Sequence, residues 1–511
     1  MMAWALFLVY LAGTAWLGWL GHRRTTGFSS FAIGNHDLSP LVVGITLAAS
    51  TASAATFIIN PGFVYVDGFS AWFHMVIGTG IGFVVMLYVL SFRFRRIGEH
   101  NKALTIPDWI GKRYQSRPFA LYFALLNLLL FAFVVLLVGG ISIVMQSLLG
   151  ITNVAALAIA LVFVTGYVFI GGTYAHVLTN MLQGSLMIGV TILILGACVQ
   201  IALVEPGSII ERLKEVDPNL IKPVNSEGRL FNDVFSIYVS GFLVGAVLTC
   251  QPHILTKALY VKTDHDVRRY LFIFTIVFAL FFLLGTAGFF AHFVVAPEAL
   301  VDPATNVFRQ DLVMTVFLKA VFPEWAFTII SVVLLAAAMS TLDGLLVAIS
   351  TITANDLVLN VFDGGNDTHQ ARMALALKSS HVVLVLIAVA AFLINLNPPE
   401  LLGVFGQVGV YGLAVSAAPP LLLGVLYKRA PVALAWPASA LALAIHFVLY
   451  FGGDSFLPDS GLTFANPGVT AAIALLVTVP AMLVAASLNS RRALPDAAAP
   501  ASISSSGPTA K

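Results

Sequence analysis

The sequence predicts an all-α membrane protein that crosses the bilayer about thirteen times. Of its 511 residues, 59% are hydrophobic and only 10% are charged, whereas a soluble protein carries about 25% charged residues to solvate its surface. The mean hydropathy is +0.95. Apolar runs of about 20 residues, the length that spans a bilayer as an α-helix, recur along the whole chain. Together these observations predict a polytopic helical transmembrane protein.

The apolar runs define the predicted spans, which we number in chain order. The first is not expected to be a cleaved signal peptide, because no basic residue precedes it and Arg23 and Arg24 follow it. The thirteen spans cover about 2–21, 39–59, 68–92, 118–148, 153–171, 177–203, 232–252, 270–296, 324–354, 379–396, 399–427, 430–452 and 466–488.

The distribution of basic residues predicts how these spans are oriented. With the N-terminus outside, all but six of the 26 Lys and Arg residues fall on the cytoplasmic side, which is where the positive-inside rule expects them. We therefore predict a multi-pass protein of the inner (plasma) membrane with a cytoplasmic C-terminus. The six outer basic residues are Arg212, Lys214, Lys222, Arg229, Arg309 and Lys319.

The segments between the spans are too short to form a soluble domain. Residues 1–488 are predicted to form a single transmembrane transporter domain, and residues 489–511, rich in Ala, Ser and Pro, a disordered cytoplasmic tail. Segment 204–231 is predicted to be a loop, and segment 297–323 a loop with a short amphipathic helix at 310–322.

The second span contains the first polar interruption. No residue from 48 to 55 is larger than Thr, and Asn60, Pro61 and Gly62 follow. Small residues permit close helix packing. The same run also fits an unwound stretch whose free carbonyls face a cavity, since irregular backbone at this depth is tolerated only inside protein or against water. The sequence leaves both interpretations open.

The seventh span contains the second interruption, at 249–253. Pro252 removes a helical hydrogen bond and clashes with the preceding turn, and Gln251 and His253 flank it. A simple kink near the cytoplasmic boundary and a break that lines a substrate site fit equally well. His253 is not expected to bind a metal, because no second ligand lies nearby in the sequence.

The ninth span contains the third interruption, at 337–343. On a helix the carbonyl of Ala337 lies within reach of the hydroxyls of Ser340 and Thr341. Three neutral oxygens suit a hard cation such as Na⁺, although both hydroxyls also fit as ordinary bonds back to the helix. Asp343 is a carboxylate within a span, which usually faces the bundle interior and needs a partner.

The spacing of the breaks predicts an internal repeat. Broken helices at corresponding places in two halves are typical of secondary transporters, and the second and seventh spans are five apart. Two five-span repeats, 39–203 and 232–427, fit this spacing, with one span before them and two after.

Six motifs resemble the sodium:solute symporter family, whose members share the LeuT-type 5+5 inverted-repeat fold. The resemblance extends from about residue 27 to residue 430, and the order and spacing of the motifs carry it. Residues 251–255 resemble the proline, pantothenate and monocarboxylate branches. The motifs are 27–34; Ser53 with Pro61, Gly62 and Tyr65; 171–175 with Thr179 and Gln183; 251–255; 337–343; and 419–424 with Lys428 and Arg429.

The resemblance implies a sodium site, and the sequence departs from the family pattern at one position. The departure is Asn180, where the family usually has an Asp that contributes to a second sodium site or an ion exit path in some members. We therefore expect one Na⁺ per cycle, with Asn180 and Asp343 in gating or ion exit. By position, the sodium ligands are the carbonyls of Ala49, Ala52 and Ala337 and the hydroxyls of Ser340 and Thr341.

The predicted substrate site lies beside the sodium site. We find no Lys or Arg deep in a core span, so an anionic substrate would be held by half-helix N-termini and hydroxyls. The predicted lining lacks the Asn, Gln and Glu that a sugar needs, which favours a small carboxylate, a pantothenate-like compound or an amino acid. Trp72 and Tyr411 also fit as packing aromatics. The predicted substrate-binding residues are Ser50, Thr51, Ser53, Trp72, His74, Gln251, Gln407 and Tyr411.

These features predict a sodium-coupled symporter that works by alternating access. The alternative is a membrane sensor or regulator that keeps the transporter fold without active transport. An enzyme is not expected, because no His/Asp/Glu constellation is clustered near an interface. The expected partners are a small-molecule substrate, sodium and the lipid bilayer; the net charge of +2 does not favour nucleic acid, and no required protein partner is inferred.

Overall fold

The computed structural model describes residues 2–33, 38–53, 55–204, 207–301, 306–359, 369–399 and 402–492. Most of these residues are helical, and the only β-type pairing among them is an isolated bridge between Val301 and Phe308. The predicted all-α class is confirmed.

The helices follow the predicted spans closely. Short π-helical or 3₁₀ turns continue several of them, at Ala55–Ile59, Phe73–Gly78, Asn127–Leu130, Phe235–Val239, Thr256–Tyr260, Leu283–Thr286 and Thr353–Val358, and two more 3₁₀ turns lie at Pro297–Leu300 and Gln310–Leu312. The α-helices are Met2–Arg24, Phe28–Ile33, Pro40–Thr51, Asn60–Asp67, Phe69–Trp72, Thr79–His100, Ile106–Tyr114, Arg117–Leu126, Phe131–Leu149, Asn153–Val204, Ile209–Val216, Ser240–Leu248, Pro252–Leu255, Asp264–Phe282, Ala287–Val294, Val313–Val321, Glu324–Ile352, His369–Asn395, Leu402–Leu426, Val432–Phe456 and Pro467–Arg492.

The number of spans depends on how the bent helices are counted. Among the described residues, ten helices are long and apolar enough to cross a membrane, or up to twelve if each of two bent pairs is one span. The 52-residue helix Asn153–Val204 is itself two helices that meet at Gly172, and counting them separately agrees with thirteen. The exact number, like the division into repeats at 39–203 and 232–427, stays a prediction.

Gly172 makes the sharp turn between the fifth and sixth spans. Its φ is 51° and its ψ is −138°, a conformation with positive φ that residues with a Cβ rarely adopt. A Cβ at this position would also lie 2.4 Å from the ring of Phe31. The turn is fixed further by the hydroxyl of Thr173, which donates to the carbonyl of Ala32 at 2.8 Å. Glycine is therefore required for the sixth span to pack as it does.

The second and seventh spans are both broken in the middle. The helix Pro40–Thr51 ends two residues before Ser53, and helical structure resumes at Ala55. In the seventh span, Phe235–Leu248 and Pro252–Tyr260 meet at 63°. Pro252 opens the second half, where its missing N–H costs nothing because the first helical N–H groups have no partner within the helix. Of the interpretations that the sequence left open, the structure favours a true break in both spans.

Burial separates the spans that form the core from those on the periphery. In their most apolar 18-residue windows, the ninth and eleventh spans are 94% buried, whereas the first and tenth are 22% buried. The ninth span packs against the broken second span and the sixth. The three polar interruptions therefore lie near the centre of the protein.

Outside the spans, the structure corrects two predictions and agrees with a third. Segment 204–231 is not loop throughout, because it contains the helix Ile209–Val216, which Ser208 and Glu211 cap reciprocally. The last helix continues to Arg492, past the predicted start of the tail at 489; the remainder, 493–511, lies outside the described residues. The predicted short helix at 310–322 is present as Gln310–Leu312 and Val313–Val321.

Candidate functional site

A cavity of about 90 Å³ lies where the two broken spans face each other. Its lining combines hydroxyls and amides with aromatic rings. The lining residues are Ser50, Thr51, Ser53, Ala55, Thr56, Asn60, Met75, Thr79, Phe83, Phe133, Leu248, Gln251, His253, Ile254, Phe282, Gln407, Val410 and Tyr411. Among them there is no Asp, Glu, Lys or Arg.

The cavity brings together six of the eight residues predicted to bind substrate. The two that it does not include are Trp72 and His74. His74 instead bonds through Nδ1 to the carbonyl of Ser236 at 2.7 Å and packs on Phe231, and Trp72 packs against Phe69 and Phe73. The π-helical turn Phe73–Gly78 contains more residues than an α-helical turn. It therefore changes which positions of the third span face the cavity, a shift that regular helical spacing does not anticipate.

Two buried polar atoms at the seventh-span break have no hydrogen-bond partner among the described residues. They are Oε1 of Gln251 and Nδ1 of His253. The amide nitrogen of Gln251 donates to the carbonyl of Leu248 at 3.0 Å, which fixes the side chain with its oxygen unpaired. Because an unpaired buried polar atom costs about 1–3 kcal/mol, both atoms are suited to meet a polar ligand.

The residues predicted to bind sodium lie together between the second and ninth spans. The hydroxyl of Ser340 lies 2.9 Å from the carbonyl of Ala49 and 2.7 Å from that of Ala337. The hydroxyl of Thr341 donates to the carbonyl of Ser50 at 2.9 Å, not to that of Ala337 as the helical spacing suggested. All of these residues are buried. The result is a cluster of neutral oxygens, the ligand type that hard cations prefer.

Ala52 completes the predicted ligand set at the end of the helix Pro40–Thr51. Its φ of −82° and ψ of 78° are not helical, so its carbonyl is turned away from the direction of the helix axis. The described residues contain no group of three or more His, Cys, Asp or Glu side chains that could hold a metal ion. The predicted sodium ligands are all backbone carbonyls and hydroxyls.

Asn180 joins the two spans that carry the predicted sodium ligands. From the sixth span, its side-chain nitrogen donates to the hydroxyl of Ser50 at 2.8 Å and to the carbonyl of Ser340 at 2.9 Å. These two bonds from the amide nitrogen link the second and ninth spans, while the amide oxygen of Asn180 is buried without a hydrogen-bond partner among the described residues.

Asp343 is fully buried and held by three side chains. Its Oδ1 lies 2.8 Å from Nδ1 of His176. Its Oδ2 accepts from the hydroxyls of Tyr167 at 3.0 Å and Thr179 at 3.2 Å. The partners that a carboxylate within a span requires come from the fifth and sixth spans.

Lys257 is one residue of this region that the sequence did not reveal, because its charge was counted with those of the cytoplasmic loops. It is 0% exposed, and its ammonium donates to the carbonyl of Thr46 at 3.1 Å and to the hydroxyl of Ser50 at 2.9 Å. The expectation that no Lys or Arg lies deep in a core span is wrong. The available signal was the apolar sequence around Lys257 directly after Pro252, which is unusual for an exposed loop.

Lys257, His176 and Asp343 form a continuous chain that we call the buried relay. Nζ of Lys257 lies 3.1 Å from Nε2 of His176. Because an ammonium only donates hydrogen bonds, Nε2 is the acceptor and Nδ1 carries the hydrogen that His176 donates to Asp343. The relay connects the inner half of the seventh span to the sixth and ninth spans, directly beside Ser50.

Comparisons with known proteins agree with this geometry. The model of the sodium:solute symporter family matches residues 31–438. The sodium/pantothenate symporter of Haemophilus influenzae is 27% identical over 451 residues, which cover 87% of this chain and 89% of that protein. The sodium/proline symporter of Escherichia coli is 26% identical over 434 residues, which cover 83% of this chain and 82% of that protein.

A solved structure shows the same fold. It is a Na⁺-coupled sialic acid symporter in a substrate-bound, outward-open state, which superposes with a TM-score of 0.76 at 17% identity and covers 96% of this chain and 98% of its own. The LeuT-type fold that the motifs implied is confirmed.

Proposed function

This chain belongs to the sodium:solute symporter family and couples solute import to sodium, and we propose that its solute is a small carboxylate that also carries a hydrogen-bond donor, such as an amino acid. The observation that carries this proposal is the hydrogen bonding of Ser50. Its hydroxyl oxygen accepts from both Asn180 and Lys257, which uses both of its acceptor lone pairs. The hydrogen of Ser50 is then left to donate into the cavity, and a carboxylate is a strong acceptor for it.

The rest of the lining supports a solute that carries both a carboxylate and a hydrogen-bond donor. The second halves of both broken spans begin at the cavity, near Ala55 and Pro252, and the N-terminal end of a helix favours negative charge. The unpaired oxygen of Gln251 is an acceptor for an ammonium or hydroxyl on the same ligand. Pantothenate, proline and sialic acid, which the names of the similar symporters mention, all carry a carboxylate.

The size of the cavity favours the smaller candidates. A bound water needs about 10–15 Å³, so a cavity of about 90 Å³ holds roughly six to nine water-sized groups. A compound the size of proline fits this space, whereas pantothenate requires the cavity to widen. An amino acid is therefore favoured over a pantothenate-like solute.

We further propose one sodium per cycle, bound by the carbonyls of Ala49, Ala52 and Ala337 and the hydroxyls of Ser340 and Thr341. An ion at this position joins the broken second span to the ninth span, and its release requires the two to separate. The proposed orientation has the N-terminus outside and the C-terminus in the cytoplasm. Each imported positive charge gains about 2.3 kcal/mol per 100 mV of inside-negative membrane potential.

The buried relay supports the single-sodium stoichiometry. Beside Ser50 lies the ammonium of Lys257, whose positive charge repels a second cation. Both oxygens of Asp343 are already bonded to His176, Tyr167 and Thr179. We therefore assign Asn180 and Asp343 to gating at the inner side of the site.

Uptake into proteoliposomes tests the proposal. Labelled amino acids, small carboxylates and neutral solutes of similar size without a carboxylate are offered with an inward Na⁺ gradient and, separately, with an equal K⁺ gradient. We expect accumulation of at least one amino acid with Na⁺ alone. Equal uptake with K⁺ would refute sodium coupling, and sodium-driven uptake confined to solutes without a carboxylate would refute the substrate class.

A further inference from the structure

A second, strongly basic cavity lies far from the substrate site, where three spans end. Its volume is about 720 Å³. It lies between the end of the helix Thr79–His100, the helix Ile106–Tyr114 that leads into the fourth span, and the end of the helix Leu402–Leu426. None of its lining residues is acidic, and six are basic: Arg93, Arg96, His100, Lys112, Arg113 and Lys428.

Carboxylates neutralise only part of this charge. Arg96 pairs with Asp264, and Lys112 pairs with Asp108. Arg93 instead donates to the carbonyls of Val425 and Leu426 at 3.1 and 3.0 Å. Arg113 likewise donates only to carbonyls, at the end of the same helix.

The carbonyls that bind Arg113 belong to Gly424, Tyr427 and Lys428, at 2.6 to 3.0 Å. A helix C-terminus carries only about half a negative charge, so the two guanidinium groups keep most of their positive charge. Lys428 is exposed and adds a further positive charge. The bonds to the helix end hold Arg93 and Arg113 in place, so an anion that enters the cavity meets donors already in position.

An apolar stripe leads from this cavity along the third span. Ile81, Val85, Val89 and Arg93 are spaced four residues apart, which puts them on one face of the helix. The three apolar side chains are 53%, 46% and 42% exposed. Ile81 and Val85 also line an apolar groove of about 360 Å³ against Phe278 and other residues of the eighth span.

The distances match the dimensions of a phospholipid. At 1.5 Å per residue, Val85 lies about 12 Å and Ile81 about 18 Å from Arg93 along the helix axis. One leaflet of the hydrocarbon core is about 15 Å thick. An acyl chain that starts at the basic cavity therefore ends in the apolar groove.

We propose that the basic cavity binds the phosphate headgroup of an anionic phospholipid, with one acyl chain along the stripe from Val89 to Ile81. Basic pockets at the ends of membrane helices are suited to such headgroups. The stripe distinguishes a lipid from a soluble phosphate, which needs only the charges. This site shares no residue with the substrate cavity, so it does not depend on the proposed function.

Binding to the purified full-length protein in a neutral detergent tests the proposal. The probes are fluorescent phosphatidylglycerol, phosphatidylcholine with the same chains, and unlabelled glycerol 3-phosphate as competitor. We expect saturable binding of phosphatidylglycerol, at least tenfold weaker binding of phosphatidylcholine, and no competition by glycerol 3-phosphate at comparable concentration. Competition by glycerol 3-phosphate at the concentration of the lipid would refute the lipid assignment.

Charge variants locate the site. Each basic residue near an anionic surface contributes about a fivefold change in affinity. Arg93→Gln with Lys428→Gln is therefore expected to weaken phosphatidylglycerol binding about 25-fold. Lys428→Gln alone changes an exposed position and is expected to weaken phosphatidylglycerol binding about fivefold. This single variant tests the site if the double variant folds poorly.

The matched control is Arg268→Gln with Arg269→Gln, which removes two exposed charges that do not line the cavity. We expect it to retain binding. An equal loss in the control pair and the cavity variants would show nonspecific attraction and overturn the proposal, as would an unchanged affinity in the cavity variants.

Discussion

Replacing Lys257 with methionine is expected to strengthen sodium binding. The ammonium lies 2.9 Å from the hydroxyl of Ser50, whose carbonyl lies 2.9 Å from the hydroxyl of Thr341, a proposed sodium ligand. These contacts separate the ammonium from a bound ion by about 7 Å, where two positive charges repel by about 2.4 kcal/mol at an effective dielectric constant of about 20. With partial screening, removal of the charge gains about 1–2 kcal/mol, which is a five- to thirtyfold higher sodium affinity.

The same substitution leaves Asp343 buried without its compensating charge. Breaking a buried pair by removing one partner costs about 3–5 kcal/mol of stability, so Lys257→Met is also expected to lower the melting temperature. Lys257→Met combined with Asp343→Asn removes both charges. This double variant should therefore recover stability and return the sodium affinity towards that of the unchanged protein.

Equilibrium binding measures the sodium affinity directly, separately from the rate of transport. Sodium titrations of the purified protein, followed by tryptophan fluorescence, give the half-saturating concentration for each variant. Lys257→Arg keeps the positive charge and serves as the control. A folded Lys257→Met variant with unchanged half-saturation would refute the electrostatic reasoning.

Four further variants test the sites separately. Ser340→Ala with Thr341→Ala should weaken sodium binding at least tenfold with little change in protein abundance, because each substitution removes an oxygen ligand of the ion; unchanged sodium dependence of uptake would remove these hydroxyls from the site. Asn180→Asp restores a carboxylate beside Ser340 and should steepen the sodium dependence of uptake, with a Hill coefficient that rises from about one towards two; a coefficient already near two in the unchanged protein would contradict a single sodium. Gln251→Leu should raise the KM for the transported solute about tenfold through loss of one hydrogen bond to a charged group, whereas Trp72→Phe should leave the KM unchanged, and the opposite pattern would relocate the substrate site.

The features that could be predicted from the sequence are those that local chemistry determines. Hydropathy predicted the spans, because each span must satisfy its backbone hydrogen bonds within a helix about 20 residues long. Pro252 and the run of small residues near Ser50 marked the two breaks. Ser340 marked the cluster of neutral oxygens between the second and ninth spans, because its reach to Ala337 follows from helical spacing alone.

The features that were missed depend on how the chain turns at irregular points. Lys257 follows Pro252 closely, and only the 63° bend of the seventh span shows that the segment turns into the protein, against Thr46. His176 lies in the predicted connection between two spans, and the turn at Gly172 buries it. His74 misses the cavity because a π-helical turn changes the register. None of these shifts follows from periodicity, which assumes a regular helix.

Ser50 is the residue at which the proposed substrate cavity, the proposed sodium site and the buried relay meet. Its side chain lines the cavity, its carbonyl accepts from Thr341, and its hydroxyl accepts from Asn180 and Lys257. A sodium ion that draws Thr341 into its own coordination takes a hydrogen bond from the carbonyl of Ser50. A carboxylate that accepts the hydrogen of Ser50 strengthens the bonds from Lys257, because hydrogen bonds in a chain polarise one another. We therefore expect sodium and the carboxylate to change each other's binding free energy through Ser50, and such reciprocal coupling is what a symporter needs if solute and sodium are to cross together.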